Sequence, residues 1–209
     1  MFPLSRLVLA SLMLTATHAA MAASSVDLTV TGLITPSACT PSMSGGTTVD
    51  FGKISAKDLN ADPLQPTQLE TRSKPIVITC EAATLVAFQG TDNRAGSDYG
   101  GNGRQYGLGF VNGTEKLGDY ILSLKNITAD GVAGRAINSA NNGSTWQLST
   151  AMRPNYLISV ADSTAVAPIP VTVLTGDLEL DTYISPTSEL TMGSELTMDG
   201  SATLTVRYL

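Results

Sequence analysis

Cys39 and Cys80 are the side chains in this sequence best suited to covalent chemistry. Redox pairs sit at Cys-x-x-Cys spacing and thiolate metal sites recruit further Cys or His ligands. Neither pattern occurs here, and the single histidine, His18, lies in the first 22 residues. The pair is therefore expected to form a structural disulfide, closing a loop of about 40 residues worth roughly 4 kcal/mol in the chain-entropy model. Asp177, Glu179 and Asp181 share one side of an alternating run, a spacing that would bring carboxylates together for glycoside hydrolysis. Their alternation with Leu178 and Leu180 instead predicts a solvated outer strand face. Asp92, Asn93, Asp98 and Asn102 offer oxygens of the kind calcium prefers, but their spacing matches no EF-hand loop and reads as plain loop. No Gly-x-Ser-x-Gly, phosphate-binding glycine loop or His-Glu-x-x-His is present. The expectation is a non-catalytic protein with no cofactor and no metal site.

The N-terminus carries Arg6, an apolar stretch from Leu7 to Ala16 and then Ala20-Met21-Ala22, the pattern of a signal peptide cleaved after residue 22. The stretch is too short to span a bilayer, which takes about 20 apolar residues, so no transmembrane segment is expected in the mature chain. Residues 23–209 read as one domain. Without Arg6 the charge is 11 − 18 = −7, against 12 Lys+Arg and 18 Asp+Glu for the whole chain. No basic stripe is present, so a nucleic-acid partner is not expected.

The elements that must carry these residues are strands. From Val26 onward the segments alternate with period two and are rich in Val, Ile, Thr and Leu. Strands are expected at residues 26–34, 48–52, 75–80, 85–88, 106–111, 120–124, 146–148, 156–160, 170–174 and 178–184. Residues 90–103, dense in Gly, Asn and Asp, read as a mobile loop. The Asn112, Asn126 and Asn142 sequons read as turns, and Trp146 as a core anchor. Residues 188–200 hold a tandem near-repeat, Ser-Glu-Leu-Thr-Met-Gly and then Ser-Glu-Leu-Thr-Met-Asp-Gly, which reads as a local duplication in a connection. The sharpest alternation closes the chain: Ala202, Leu204, Val206 and Tyr208 on one face, Ser201, Thr203, Thr205 and Arg207 on the other. Short strands at roughly ten-residue spacing predict an all-β antiparallel sandwich.

Several segments in order resemble the pilin subunits of the chaperone-usher pathway. Thr31-Gly32-Leu33-Ile34 leading to Cys39, Val49-Asp50-Phe51-Gly52-Lys53-Ile54, Lys74-Pro75 running into Cys80, Asp181-Thr182-Tyr183 and the last strand from Gly200 to Tyr208 each look like the corresponding pilin segment. Residues 91–97, 106–109 and 142–146 are similar to a family of exported fimbrial-like proteins labelled by a domain of unknown function. The pilin resemblance implies an immunoglobulin-like sandwich that lacks its seventh strand and needs a donor strand. It further implies a Gram-negative envelope protein found in the periplasm and at the cell-surface fimbrium, or secreted. The partners implied are a periplasmic chaperone, an usher and other fimbrial subunits, possibly further copies of this chain.

On that resemblance Ala202, Leu204, Val206 and Tyr208 would face the donated strand, and the Leu209 carboxylate would meet basic residues of the chaperone. The alternative is that the four complete an ordinary closed sandwich. Val26, Leu28 and Val30 form the candidate donor strand, but the same short stretch would also serve as the domain's own first strand. In that case the protein would be free-standing in the periplasm or secreted, with a binding or sensing role and no polymerisation. Only 16 residues separate Ala23 from Cys39, too few for a preceding lectin domain of the kind tip adhesins carry.

Overall fold

A computed structural model describes Thr29, Thr31 and residues 38–209. The chain divides into two compact units, Met1–Ile34 and Thr35–Leu209, and the fold concerns the second. The expected signal segment and the candidate donor residues Val26, Leu28 and Val30 lie outside the described residues.

The strands in chain order are β1 (Cys39–Met43), β2 (Thr67–Gln68), β3 (Arg72–Thr84), β4 (Val86–Asp92) and β5 (Tyr106–Gly107). Then come β6 (Phe110–Val111), β7 (Glu115–Lys116), β8 (Gly118–Ala129), β9 (Val132–Ala133) and β10 (Arg135–Ser139). The last are β11 (Gln147–Leu148), β12 (Ala151–Met152), β13 (Leu157–Ala161), β14 (Val171–Ile184) and β15 (Ala202–Tyr208). One sheet has the order β1-β3-β14-β8-β12, with β2, β5 and β9 attached to it, and a second has the order β11-β10-β13-β4-β15. Every ladder within them is antiparallel, and the protein is an all-β sandwich. Among the described residues no helix is long and apolar enough to cross a membrane.

The inward faces follow from the alternation. Ile76, Ile78 and Cys80 of β3, Leu122 and Leu124 of β8, and Leu174 and Leu178 of β14 are buried against Phe88 of β4 and Ile158 and Val160 of β13. Fully burying each such side chain contributes roughly 1.5–3 kcal/mol. β13 is buried at every position, as a strand in the middle of a covered sheet must be.

Several expectations need correction; the strand expected at 106–111, for one, is broken at Gly109, where φ is 91°, into β5 and β6, which belong to different sheets. Residues 48–52 form no strand: among the described residues no backbone ladder reaches them, so the alternating sequence has nothing to pair with. The strands expected at 170–174 and 178–184 are one continuous strand, β14. Gly176 stays in it because Asn126 and Ile127 of β8 bulge opposite it, between the Thr175–Thr128 and Asp177–Lys125 pairs. A Cβ at Gly176 would come within 2.8 Å of Leu124 Cδ1. Residues 90–103 are not a free loop either. Asp92 accepts from the N–H groups of Arg94 and Gly107, Asp98 accepts from those of Asn102 and Gly103, and Ser97 and Asp98 are buried.

Asn112 and Asn142 sit at turns as expected, with φ of 49° and 53°, whereas Asn126, with φ of 48°, lies at the bulge inside β8 and not in a turn. The Ser-Glu-Leu-Thr-Met near-repeat lies, as expected, in the connection from β14 to β15. Trp146 is half-buried near Gly143 and is not part of the core cluster.

Candidate functional site

β15 pairs with β4 along its whole length, from Ala202 opposite Asp92 to Tyr208 opposite Val86. It is the end strand of its sheet, and among the described residues no strand lies beside its other edge. Ala202, Leu204 and Val206 point toward the core and are only half-buried, while Thr203, Thr205 and Arg207 face solvent. The burial is incomplete because Ala202 and Leu204 line an open groove of about 530 Å³. Across it, Pro41 and Met43 of β1 and then Thr47, Val49 and Phe51 form the opposite bank, and Leu122, Leu178 and Tyr120 lie between the two. Arg72 stacks over Phe51, its guanidinium carbon 5.6 Å from the ring centre. Burial pushes the Tyr120 phenol well above the usual tyrosine range, so it stays neutral.

The two banks are tied at one end. The Cys39 N–H donates to the Tyr208 hydroxyl at 2.9 Å, and Cys39 is itself disulfide-bonded to Cys80. The cysteine pair thus fixes β1 as a wall of the groove. Tyr208 serves there as a clasp at 42% exposure, while Leu209 is exposed and its N–H donates to the Leu85 carbonyl. Beyond the start of β15 a second apolar cavity of about 450 Å³ opens, lined by Ile54, Leu59, Leu117, Ile184, Leu190 and Leu196. Met198 lines both cavities. Nothing in the sequence points to the second cavity except the repeat, whose second copy contributes Leu196 and Met198.

The other groups with chemical potential lie elsewhere, each with a partner. Asp177 accepts from Asn126 Nδ2, Glu179 is paired with Lys125, and Asp181 accepts from Thr71 Oγ1, all on the outer face of β14. Asn93 reaches Ser201 and Thr203, and the Asn102 side-chain oxygen accepts from the Arg104 N–H. No group of three Asp, Glu, His or Cys side chains placed to hold a metal occurs among the described residues.

The family described as Protein of unknown function (DUF1120) matches residues 28–144, more than half of the sequence. This chain belongs to that family. It is similar to Protein GltF of Escherichia coli (strain K12), 27% identical over 236 residues with 93% of each chain covered. Uncharacterized protein YhcF of the same organism is 28% identical over 225 residues, covering 91% of this chain and 93% of its own. The family match takes in the disulfide, the tied loop at 90–103 and the bank at residues 47–51. It stops before β15, which forms the other bank. Among the described residues the groove offers a ligand an unpaired strand edge, a facing stretch without a ladder and an apolar floor.

Proposed function

We propose that this member of the family is a structural fimbrial-type subunit with an immunoglobulin-like, pilin-type sandwich, completed by β-strand addition. A periplasmic chaperone would supply the strand first and a neighbouring subunit later, at the usher. One observation carries this reading: among the described residues β15 has an unpaired edge over an apolar groove, opposite residues 47–51, which have strand alternation and no strand partner there. An edge of that kind invites addition of a strand, whose backbone supplies affinity while alternate side chains supply selectivity. Val26, Leu28 and Val30 of a neighbouring copy have the required alternation.

The test is to mix the purified subunit, held by its chaperone, with a synthetic peptide of residues 23–34. The reading expects the peptide to displace the chaperone and form a stable complex. Retention of the chaperone at saturating peptide would count against it. The Cys39–Tyr208 contact, which already joins the banks at one end, favours a second reading: a free-standing periplasmic or secreted protein that binds or senses without polymerising. Electron microscopy of cells overexpressing the gene with its neighbours separates the two, fibres supporting the first and their absence the second.

A further inference from the structure

The two copies of Ser-Glu-Leu-Thr-Met are held very differently. In the first, Thr191 donates from its N–H and hydroxyl to the Glu115 carboxylate at 2.8 and 2.6 Å, and its carbonyl accepts from Asn112 Nδ2 at 2.9 Å. Directly after the second, the Asp199 N–H donates to the Leu108 carbonyl, and Arg94 grips the Asp199 carboxylate with Nε and Nη2, each at 2.9 Å. Between these anchors, among the described residues, the only hydrogen bond to residues 192–198 is the Lys53–Glu195 ion pair, whose side chains are 91% and 89% exposed. An ion pair so exposed is a weak tether. What seats the segment is the half-buried packing of Leu196 and Met198, and Met198 lines both cavities.

We propose that residues 192–198 form a displaceable strap that gates the strand-binding groove, Leu196 and Met198 holding the places that side chains of an incoming strand take. This inference rests on the strand-addition reading and adds a regulatory element to it. With the strap seated, the groove ends at Met198, just beyond Ala202. With the strap swung out on its anchors at Thr191 and Asp199, the groove and the second cavity become one slot bounded by Phe51, Ile54 and Leu59 on one side. A strand that reaches past Ala202 therefore binds the open form alone and shifts the population toward it, whereas a strand no longer than β15 does not need the strap to move. The duplication supplies the slack: one copy of the repeat is anchored and the other is left to move.

The test holds the strap shut. Lys53→Cys and Glu195→Cys are made together in the full mature chain, at positions exposed enough to leave folding alone. The two thiols are then joined by a short bismaleimide after folding. The probe is a fluorescent synthetic peptide of residues 23–34, followed by anisotropy. The uncrosslinked double variant is expected to bind as the unaltered protein does, and the crosslinked form to associate at least about tenfold more slowly, because its open fraction is suppressed. Met198→Ala is expected to accelerate association. Equal rates for the crosslinked and uncrosslinked forms would overturn the gate and leave strand addition standing. Failure of every form to bind would remove the strand-addition reading and the gate with it.

Discussion

The Tyr208 hydroxyl accepts a hydrogen bond from the Cys39 N–H at 2.9 Å, joining residues 169 apart in sequence and linking the last strand to the first across the groove. Tyr208→Phe removes the acceptor and keeps the ring. Because the Cys39 amide is near solvent, water replaces the lost partner, and the expected loss is about 1 kcal/mol by urea denaturation. A loss of about 3 kcal/mol or more would instead mark the contact as buried structure.

The disulfide acts on the same wall of the groove. Cys39 and Cys80 are 41 residues apart. Replacing both with alanine is expected to lower stability by about 4 kcal/mol through the unfolded chain's regained freedom. Equilibrium unfolding of the double variant at fixed pH checks the figure, and unchanged stability would refute it.

Gly107→Ala is expected to be among the most damaging single substitutions outside the core. A Cβ there would collide with Ser97 Oγ and come within 2.8 Å of the Arg94 carbonyl and 3.0 Å of the Asp98 amide. Ser97 has no room to give, since its hydroxyl donates to the Arg94 carbonyl and accepts from the Gly109 N–H. The expected cost is about 2–3 kcal/mol, read as a lowered Tm with loss of protection from amide exchange over residues 94–109.

Period-two patterning made the strand content, the inward faces and the last strand legible, because a one-residue slip would have turned every apolar side chain of β15 outward. The disulfide was legible from the cysteine count. Pairing was not: Thr48–Gly52 alternates as a strand does, yet whether it becomes one depends on a neighbour that local sequence does not specify. In the sequence Gly176 looks like a break and divides β14 into two expected strands, whereas the bulge at Asn126 and Ile127 in β8 lets one strand pass through it. β10 was missed since its buried Asn138 interrupts the apolar pattern. That amide is satisfied by the Ala151 carbonyl and by Gln147 Nε2, partners well removed along the chain.

Acid should loosen the strap's anchors before it unfolds the sandwich. Hydrogen bonds from Thr191 and then Asn112 hold the Glu115 carboxyl below its ordinary value of 4.5, and Arg94 holds Asp199 below 3.8. Depressed pKa values of this kind contribute stability that is full above the ordinary values and is lost as the pH falls through the lowered ones. Protection from amide exchange at residues 191–199, taken relative to the intrinsic rate at each pH from 6 downward, is expected to fall first in that window, and Glu115→Gln should weaken the dependence. Asp119 runs the other way. Burial raises its pKa, so its penalty is absent below 3.8 and grows as the pH rises through the raised value. Asp119→Asn should therefore remove the loss of stability that sets in as the pH rises above 3.8.

The groove and the core make opposite predictions for substitution, and the contrast tests the functional reading directly. Leu204 is half-buried beside open space, so Leu204→Lys can lift its ammonium into solvent at a stability cost of about 1 kcal/mol. Leu124 is fully buried, and Leu124→Ala is expected to cost about 2–5 kcal/mol. If a partner strand lies against β15, the mild Leu204→Lys change abolishes capture of the 23–34 peptide because the charge would be buried beneath it. The severe Leu124→Ala change leaves capture intact under conditions where that variant is still folded. Reversal of the two effects would mean that partner binding follows overall stability and that the groove beside β15 has no part in it.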